Sequence, residues 1–256
     1  MAADRIETRL YVPTSLAVSS IGLDADRVHY LRHVLRLEKG ARVAVFNATD
    51  GEYAARIEGF GKGCCTLAIE EKRREPAGEP DLWLVFAPIK RTRLDFIAEK
   101  ATELGVSGLW PVYTQHTIVS RVNRERLVAT AIEAAEQSER LSIPEVFEPL
   151  KLDEALARWP KDRRLVFCDE SGGGGPIADV LAKQDLTRPH AILTGPEGGF
   201  ARAELDAIRK LPFVTPVGLG PRVLRADTAS LAALAIFQAL AHDRLGSPPP
   251  RFVARS

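Results

Sequence analysis

Cysteine is scarce in this chain. Cys64, Cys65 and Cys168 are the only three, no CxxC pair occurs, and the spacing suits neither a disulfide framework nor a zinc site. They read as reduced, buried thiols, and no metal is expected. No apolar run reaches the ~20 residues of a membrane helix. The nearest, Ala229–Ala241, is shorter and contains Gln238. The opening MAADRIETRL lacks the apolar stretch of roughly 7–15 residues that a signal peptide needs. A cytoplasmic protein without a membrane partner is therefore expected. An excess of charge is missing as well: 35 Lys and Arg face 34 Asp and Glu, for a net +1. That excludes a generally polycationic nucleic-acid binder but leaves room for local patches. Phosphate-binding text is also absent. No glycine loop is followed by Gly-Lys-Ser/Thr, and no GxGxxG follows a strand, which argues against a P-loop enzyme and a Rossmann dehydrogenase. There is no internal repeat.

What is present divides in two. The chain has 256 residues, 45% of them hydrophobic, enough for one or two cored domains. Its first part is strand-rich. Thr8–Val12, Ala41–Asn47, Glu52–Glu58 and Cys64–Glu70 are short β-prone runs, with a helical pattern at His29–Leu37 between the first two. This predicts a small β-barrel domain over residues 1–72. The charged, proline-bearing stretch at 73–81 reads as a linker. Beyond it, over 82–246, strands and helices alternate. Strands are expected at Leu82–Ala87, Gly108–Tyr113, Arg164–Cys168, Ala191–Thr194 and Phe213–Val217. Helices are expected after the first of these (ended by Gly105) and at Asn123–Arg140, Leu152–Arg158, Ile177–Lys183, Arg202–Lys210 and Thr228–His242. Such alternation implies an α/β domain with a mostly parallel sheet covered on both faces. Residues 247–256 read as a flexible tail.

In an open α/β sheet, ligands bind at the carboxyl ends of strands. Three loops in such places are rich in glycine: CDESGGGGP at Cys168–Pro176, TGPEGGF at Thr194–Phe200 and GLGPRVLRADTA at Gly218–Ala229. Glycine lets backbone approach a ligand and direct N–H groups at it. The Ser171–Gly175 run by itself reads as a tight turn. The other two, at consecutive strand ends, favour a pocket for one small ligand held by main-chain hydrogen bonds.

TGPEGGF followed by LGPRVLRADTA resembles the cofactor loops of SPOUT-class RNA methyltransferases, and within that class the RsmE family. RLYV at Arg9–Val12, HYLRHVLRLEKG at His29–Gly40, KRTRLDFIAEKATELGV at Lys90–Val106 and AAEQSER at Ala134–Arg140 agree with it, so the resemblance spans both expected domains. One departure is Asp227, where the family usually has glutamate, one methylene longer. The resemblance implies a deep trefoil knot in the C-terminal domain, a PUA- or OB-like RNA-binding barrel at the N-terminus, and a homodimer. It implies S-adenosylmethionine (SAM) as cofactor and methylation of N3 of a uridine (position 1498) in 16S ribosomal RNA of the small subunit. By the same resemblance Leu193, Thr194, Gly195, Glu197, Gly198, Gly199, Leu219, Gly220, Leu224, Arg225, Thr228 and Ala229 surround the cofactor.

Individual residues carry two readings each. Arg222 and Arg225 form structural ion pairs or contact RNA and the target base. Loss of the N3 proton spreads negative charge onto uracil carbonyl oxygens, and a guanidinium would stabilise it. Arg225 is the expected residue for that role. Glu136 is the expected carboxylate for the proton, with Glu197 and Asp227 as alternatives. Asp227 and Thr228 also suit a helix N-cap, and Glu197 a helix N-terminal pole. Arg9, Arg32, His33, Arg36, Lys90, Arg91, Arg93, Arg140 and Arg222 are expected on the RNA face; the cluster from Arg27 to Arg42 otherwise reads as a solvated surface. Ala129, Ala131, Ala134 and Ala135 suit close helix packing in a dimer. Cys168 is expected to be a buried strand-end residue and not a nucleophile. Two other functions stay open: methylation of a different RNA site by the same fold, or RNA binding without catalysis.

Overall fold

The computed structural model describes residues 5–245, so the tail expected at 247–256 lies outside the described residues. The chain divides into two compact units, one of Met1–Gly78 with Ala135–Ile143 and one of Glu79–Ala134 with Pro144–Ser256.

The first unit holds strands β1 (Ile6–Tyr11), β2 (Ser20–Leu23), β3 (Arg42–Asn47), β4 (Gly51–Phe60) and β5 (Cys65–Arg74). They form one sheet in the order β1-β3-β4-β5-β2, parallel only between β1 and β3. Four of these were expected; β2 was not, because SIGL is too short to show a period. The expected His29–Leu37 helix is instead α1 (Ala25–His29) running into a π-helical turn at Tyr30–Val34. Asp24 starts α1 by accepting the Arg27 N–H. Alternate strand residues, among them Val43, Val45, Ala55, Ile57 and Leu67, bury one core with Leu31 and Leu16. β5 continues to Arg74, so the strand occupies the first part of the stretch expected to be a linker.

Arg9 closes this unit. Its guanidinium bonds Glu52 at 2.8 Å and the carbonyls of Ala135, Glu136 and Arg140 at 3.1, 2.9 and 2.9 Å, lying over the Phe46 ring. The Glu136 carboxylate accepts the Tyr11 N–H at 2.9 Å. Phe46, Ala135 and Leu141 form a small core of their own.

The second unit contains β6 (Leu82–Phe86), α2 (Arg91–Glu103), β7 (Gly108–Tyr113), α3 (Arg124–Gln137, whose last residues from Ala135 belong to the first unit), β8 (Glu145–Val146), β9 (Leu150–Lys151) and α4 (Leu152–Ala157). There follow β10 (Arg164–Cys168), β11 (Gly175–Pro176), α5 (Ile177–Leu181), β12 (His190–Thr194), α6 (Arg202–Arg209), β13 (Val214–Gly218) and α7 (Ala226–Leu245). The sheet order is β11-β13-β10-β12-β6-β7-β8, with β9 on β7 and every pair parallel. Two-sided burial explains the unbroken apolar strands. Leu82, Leu84, Phe86, Val166 and Ile192 face a core shared with α2, α5 and α7. Val85, Leu165, Phe167, Ala191 and Leu193 face a second, aromatic core with Trp110 and Trp159. Each large side chain so buried contributes roughly 1.5–3 kcal/mol.

His190 opens β12 and is 1% exposed, with Nδ1 2.7 Å from the Arg188 carbonyl and Nε2 3.1 Å from the Gln184 side chain. Burial lowers its pKa below 6.5, more than the Arg188 carbonyl raises it. The unfolded chain therefore takes up this proton first as pH falls, so stability present above about pH 6.5 is lost below it. The melting temperature is expected to drop between pH 7.5 and 5.5, and His190→Gln to flatten that drop, as read by circular dichroism melts.

Candidate cofactor and RNA site

β6, β7, β10, β12 and β13 run parallel, so the segments that follow them leave from the same edge of the sheet. Three glycine-bearing loops meet there, as the sequence suggests. The first follows β10. Asp169 has a fully buried carboxylate that accepts from Arg209 Nε at 2.9 Å and Nη2 at 2.5 Å, and from the Ser171 N–H at 3.0 Å. Burial works to raise its pKa, but the bonds from Arg209 and Ser171 outweigh this and hold it below the usual aspartate value. Gly174 lies on the β13 backbone, and a Cβ there would sit 2.4 Å from the Val217 nitrogen. The glycine run is thus a packing device, in keeping with the tight turn expected of it. Cys168 beside it is buried, and desolvation pushes its thiol up to about 12, which keeps it protonated and inert.

The second loop, TGPEGGF, is braced from three sides. Glu170 Oε1 accepts the Phe200 N–H at 2.8 Å, and Glu204 accepts the Ala201 N–H at 2.9 Å and the Gln115 N–H at 2.8 Å. His116 Nδ1 stands 3.1 Å from both the Gly198 and the Gly199 carbonyl oxygens. Gly199 has φ +68° and sits so close to Glu170 that a Cβ would lie 2.5 Å from Oε1. No other residue type meets both demands. At the loop's start the Ser230 hydroxyl donates to the Ala226 carbonyl at 2.9 Å, so in its 2.8 Å contact with Thr194 it is the acceptor. Thr194 and Leu193 are buried, Gly195 and Gly199 half-buried, Glu197 and Gly198 exposed.

The third loop runs from Leu219 to Arg225. Gly220 takes φ +106°, Leu219 and Leu224 are half-buried, and Arg222 and Arg225 are exposed around Val223, which is 97% exposed. α7 begins two residues earlier than expected. The Arg225 carbonyl accepts the Ala229 N–H at 2.8 Å, so Asp227 and Thr228 lie in the first turn and do not form the cap. Asp227 accepts the Thr228 N–H at 2.8 Å through Oδ1, and its Oδ2 faces Arg93 at 3.6 Å. The Asp227 carboxylate thus faces a cation on α2. Thr228 is exposed and Ala229 half-buried.

The residues expected on the RNA face divide. Arg32, His33, Arg36, Lys90 and Arg222 are exposed. Arg93 is half-buried on Asp227, and the Arg91 side chain lies outside the described residues. Two expectations fail for a plain physical reason. Arg9 spends four hydrogen bonds inside its own unit, and Arg140 is 4% exposed with its guanidinium on Ser142. Both are structural arginines. Glu136, expected near the chemistry, holds the Tyr11 N–H. Of the alanines expected to suit a dimer contact, Ala131, Ala134 and Ala135 are buried within their own chain and Ala129 is exposed. Sequence reading missed His116, Glu170 and Glu204; the only signal was their position just after strands or in a first helical turn.

The described residues contain no helix long and apolar enough to cross a membrane and no group of three or more potential metal ligands. The description "RNA methyltransferase domain" matches residues 77–238, and "RNA methyltransferase PUA domain" matches residues 23–70. The ribosomal RNA small subunit methyltransferase E of Rickettsia conorii is 34% identical over 89% of this chain and 93% of its own. The Neisseria gonorrhoeae protein of that name, solved bound to S-adenosyl methionine, superposes with TM-score 0.81 at 27% identity, covering 91% of this chain and 97% of the other. A Legionella pneumophila protein solved with the bound cofactor SAM superposes at 0.78 with 29% identity, covering 92% and 98%. Two matched segments in sequence order, near-complete coverage and a shared fold lead to one conclusion: the chain belongs to the RNA methyltransferase family of the ribosomal RNA small subunit methyltransferases E.

Proposed function

We propose that this protein transfers a methyl group from SAM to N3 of a uridine in 16S ribosomal RNA, at position 1498, acting in the cytoplasm on the small subunit. The observation that carries the reading is that TGPEGGF and LGPRVLRADTA leave the same edge of a parallel sheet, after strands that flank β10. The residues present fit the cofactor. Gly220 has open space where a Cβ would stand, Leu219 and Leu224 offer apolar surface, and main chain is accessible at Gly198. Bound SAM supplies an electrophilic methyl group. We further propose that the chain around these loops is threaded as a trefoil knot; the insertion of the late strand β12 between β10 and β6 supports this.

The chain's own contribution is electrostatic. Uracil N3 must lose its proton, which passes to solvent water, and the resulting charge lies on the flanking carbonyl oxygens. We assign to Arg225, exposed in the third loop, donation to these oxygens, and to Arg222 contact with the RNA backbone together with Arg32, His33, Arg36 and Lys90. Glu136 is assigned to structure. Homodimerisation is proposed through α7, which is apolar around most of its circumference yet leaves Ala235 and Ala239 exposed.

The purified protein is expected to methylate small subunits that lack the modification, and nucleoside mass spectrometry of the digested RNA should show 3-methyluridine. Product at another atom or another RNA would replace this reading by a different methyltransferase specificity; SAM-bound protein with no transfer would leave an RNA-binding protein. Arg225→Ala is expected to lower kcat at saturating SAM by about 100-fold. Glu136→Gln keeps an acceptor for the Tyr11 N–H and is expected to leave kcat unchanged; a fall like that of Arg225→Ala would restore Glu136 as the base. Sedimentation equilibrium tests the dimer, with Ala235→Glu expected to yield monomers.

A further inference from the structure

His116 belongs to the turn that follows β7. That turn is stiff. Thr117 Oγ1 accepts the Thr114 N–H at 2.9 Å and lies 2.8 Å from Thr114 Oγ1, the Thr117 N–H returns to the Thr114 carbonyl at 3.1 Å, and the Gln115 N–H is held by Glu204. From this platform Nδ1 reaches two successive carbonyl oxygens, those of Gly198 and Gly199. Both are acceptors only, so Nδ1 must carry the proton and share it in a three-centre bond. The opposite edges of the same two peptide planes are also held. The Gly199 N–H donates to the Pro196 carbonyl at 3.0 Å, and the Phe200 N–H donates to Glu170 at 2.8 Å. A peptide plane fixed at its oxygen and at its N–H cannot rotate. Gly198 is in turn so close that a Cβ would lie 3.2 Å from His116 Cβ.

We propose that His116 is a positioning residue for the cofactor loop: by clamping the Gly198 and Gly199 carbonyls through Nδ1–H it fixes the main-chain orientation of TGPEGGF to which SAM binds. The inference rests on the SAM reading above. Without the clamp each peptide plane keeps only its N–H anchor, on the Pro196 carbonyl or on Glu170, and part of the loop's order must be restored each time the cofactor binds. The cost falls on SAM affinity and not on the chemical step at saturation.

The full-length protein tests this in two ways. Long-range proton–nitrogen NMR, with the His116 signal assigned by its absence in His116→Asn, should show neutral His116 as the Nδ1–H tautomer; an Nε2–H tautomer overturns the clamp. Calorimetry with SAM should show His116→Ala binding about five- to tenfold more weakly, the loss expected for one shared hydrogen bond with loop ordering. Its kcat at saturating SAM and its KM for the small subunit should be unchanged. His116→Asn places an amide N–H near the Nδ1 position and should restore affinity, whereas His116→Gln, whose amide reaches the Nε2 position, should not. If His116→Ala folds poorly, the Asn and Gln pair decides alone. Equal affinity in wild type and His116→Ala, or rescue by Gln and not by Asn, overturns the proposal. Wild-type protein that binds no SAM overturns the SAM reading and this proposal with it, an outcome separable from the others because it precedes any substitution.

Discussion

Arg163 sets the level of the sheet on which everything else stands. It precedes β10, and its guanidinium bonds both oxygens of Asp81 at 2.8 Å, the Asp81 carbonyl at 3.2 Å and the His190 carbonyl at 2.8 Å, stacked 3.6 Å over the Trp83 ring. Asp81 precedes β6 and His190 begins β12, so one side chain ties the starts of three neighbouring strands. Each of the three is five residues long. A common start therefore gives a common finish, and Phe86, Cys168 and Thr194 end side by side. The loops that follow them emerge at one height and can share one ligand. The planar, five-donor guanidinium is suited to this because it serves several acceptors at fixed angles.

At the opposite edge the same economy appears in carboxylates. Asp169, Glu170 and Glu204 spend their oxygens on backbone N–H groups and on Arg209, and Asp227 faces Arg93. A loop built from glycine has little stiffness of its own. Its shape is imposed by side chains reaching in from neighbouring strand ends. These four acidic residues thus read as scaffold, while the cations Arg222 and Arg225 are exposed.

Much of this was legible in the sequence because the period of the hydrophobic pattern reports burial directly. The two-sided strands Leu82–Phe86 and Arg164–Cys168 and the helices between them follow from apolar runs. β2 and the π-helical turn at Tyr30–Val34 did not, since four or five residues carry no period. The glycine loops were visible as text, but what braces them was not. Glu170 and His116 meet TGPEGGF only through the strand order, which no local pattern encodes, whereas Glu204 caps the helix that follows the loop from three residues away. Arg9 and Arg140 show the converse error. A basic residue looks the same in sequence whether it faces phosphate or a ring of carbonyls, and only three-dimensional proximity to Glu52, Ala135 and Phe46 decides.

The first unit is not one continuous stretch of chain. Residues 135–143 arrive from the middle of the sequence to receive Arg9 and cover Phe46. A gene fragment ending at Gly78 would encode all five strands but not their lid, leaving a buried aromatic ring and a desolvated guanidinium facing water. A single cut in the chain therefore does not separate this module whole from the rest. An engineer wishing to swap the first unit must transplant the Ala135–Ile143 segment with it.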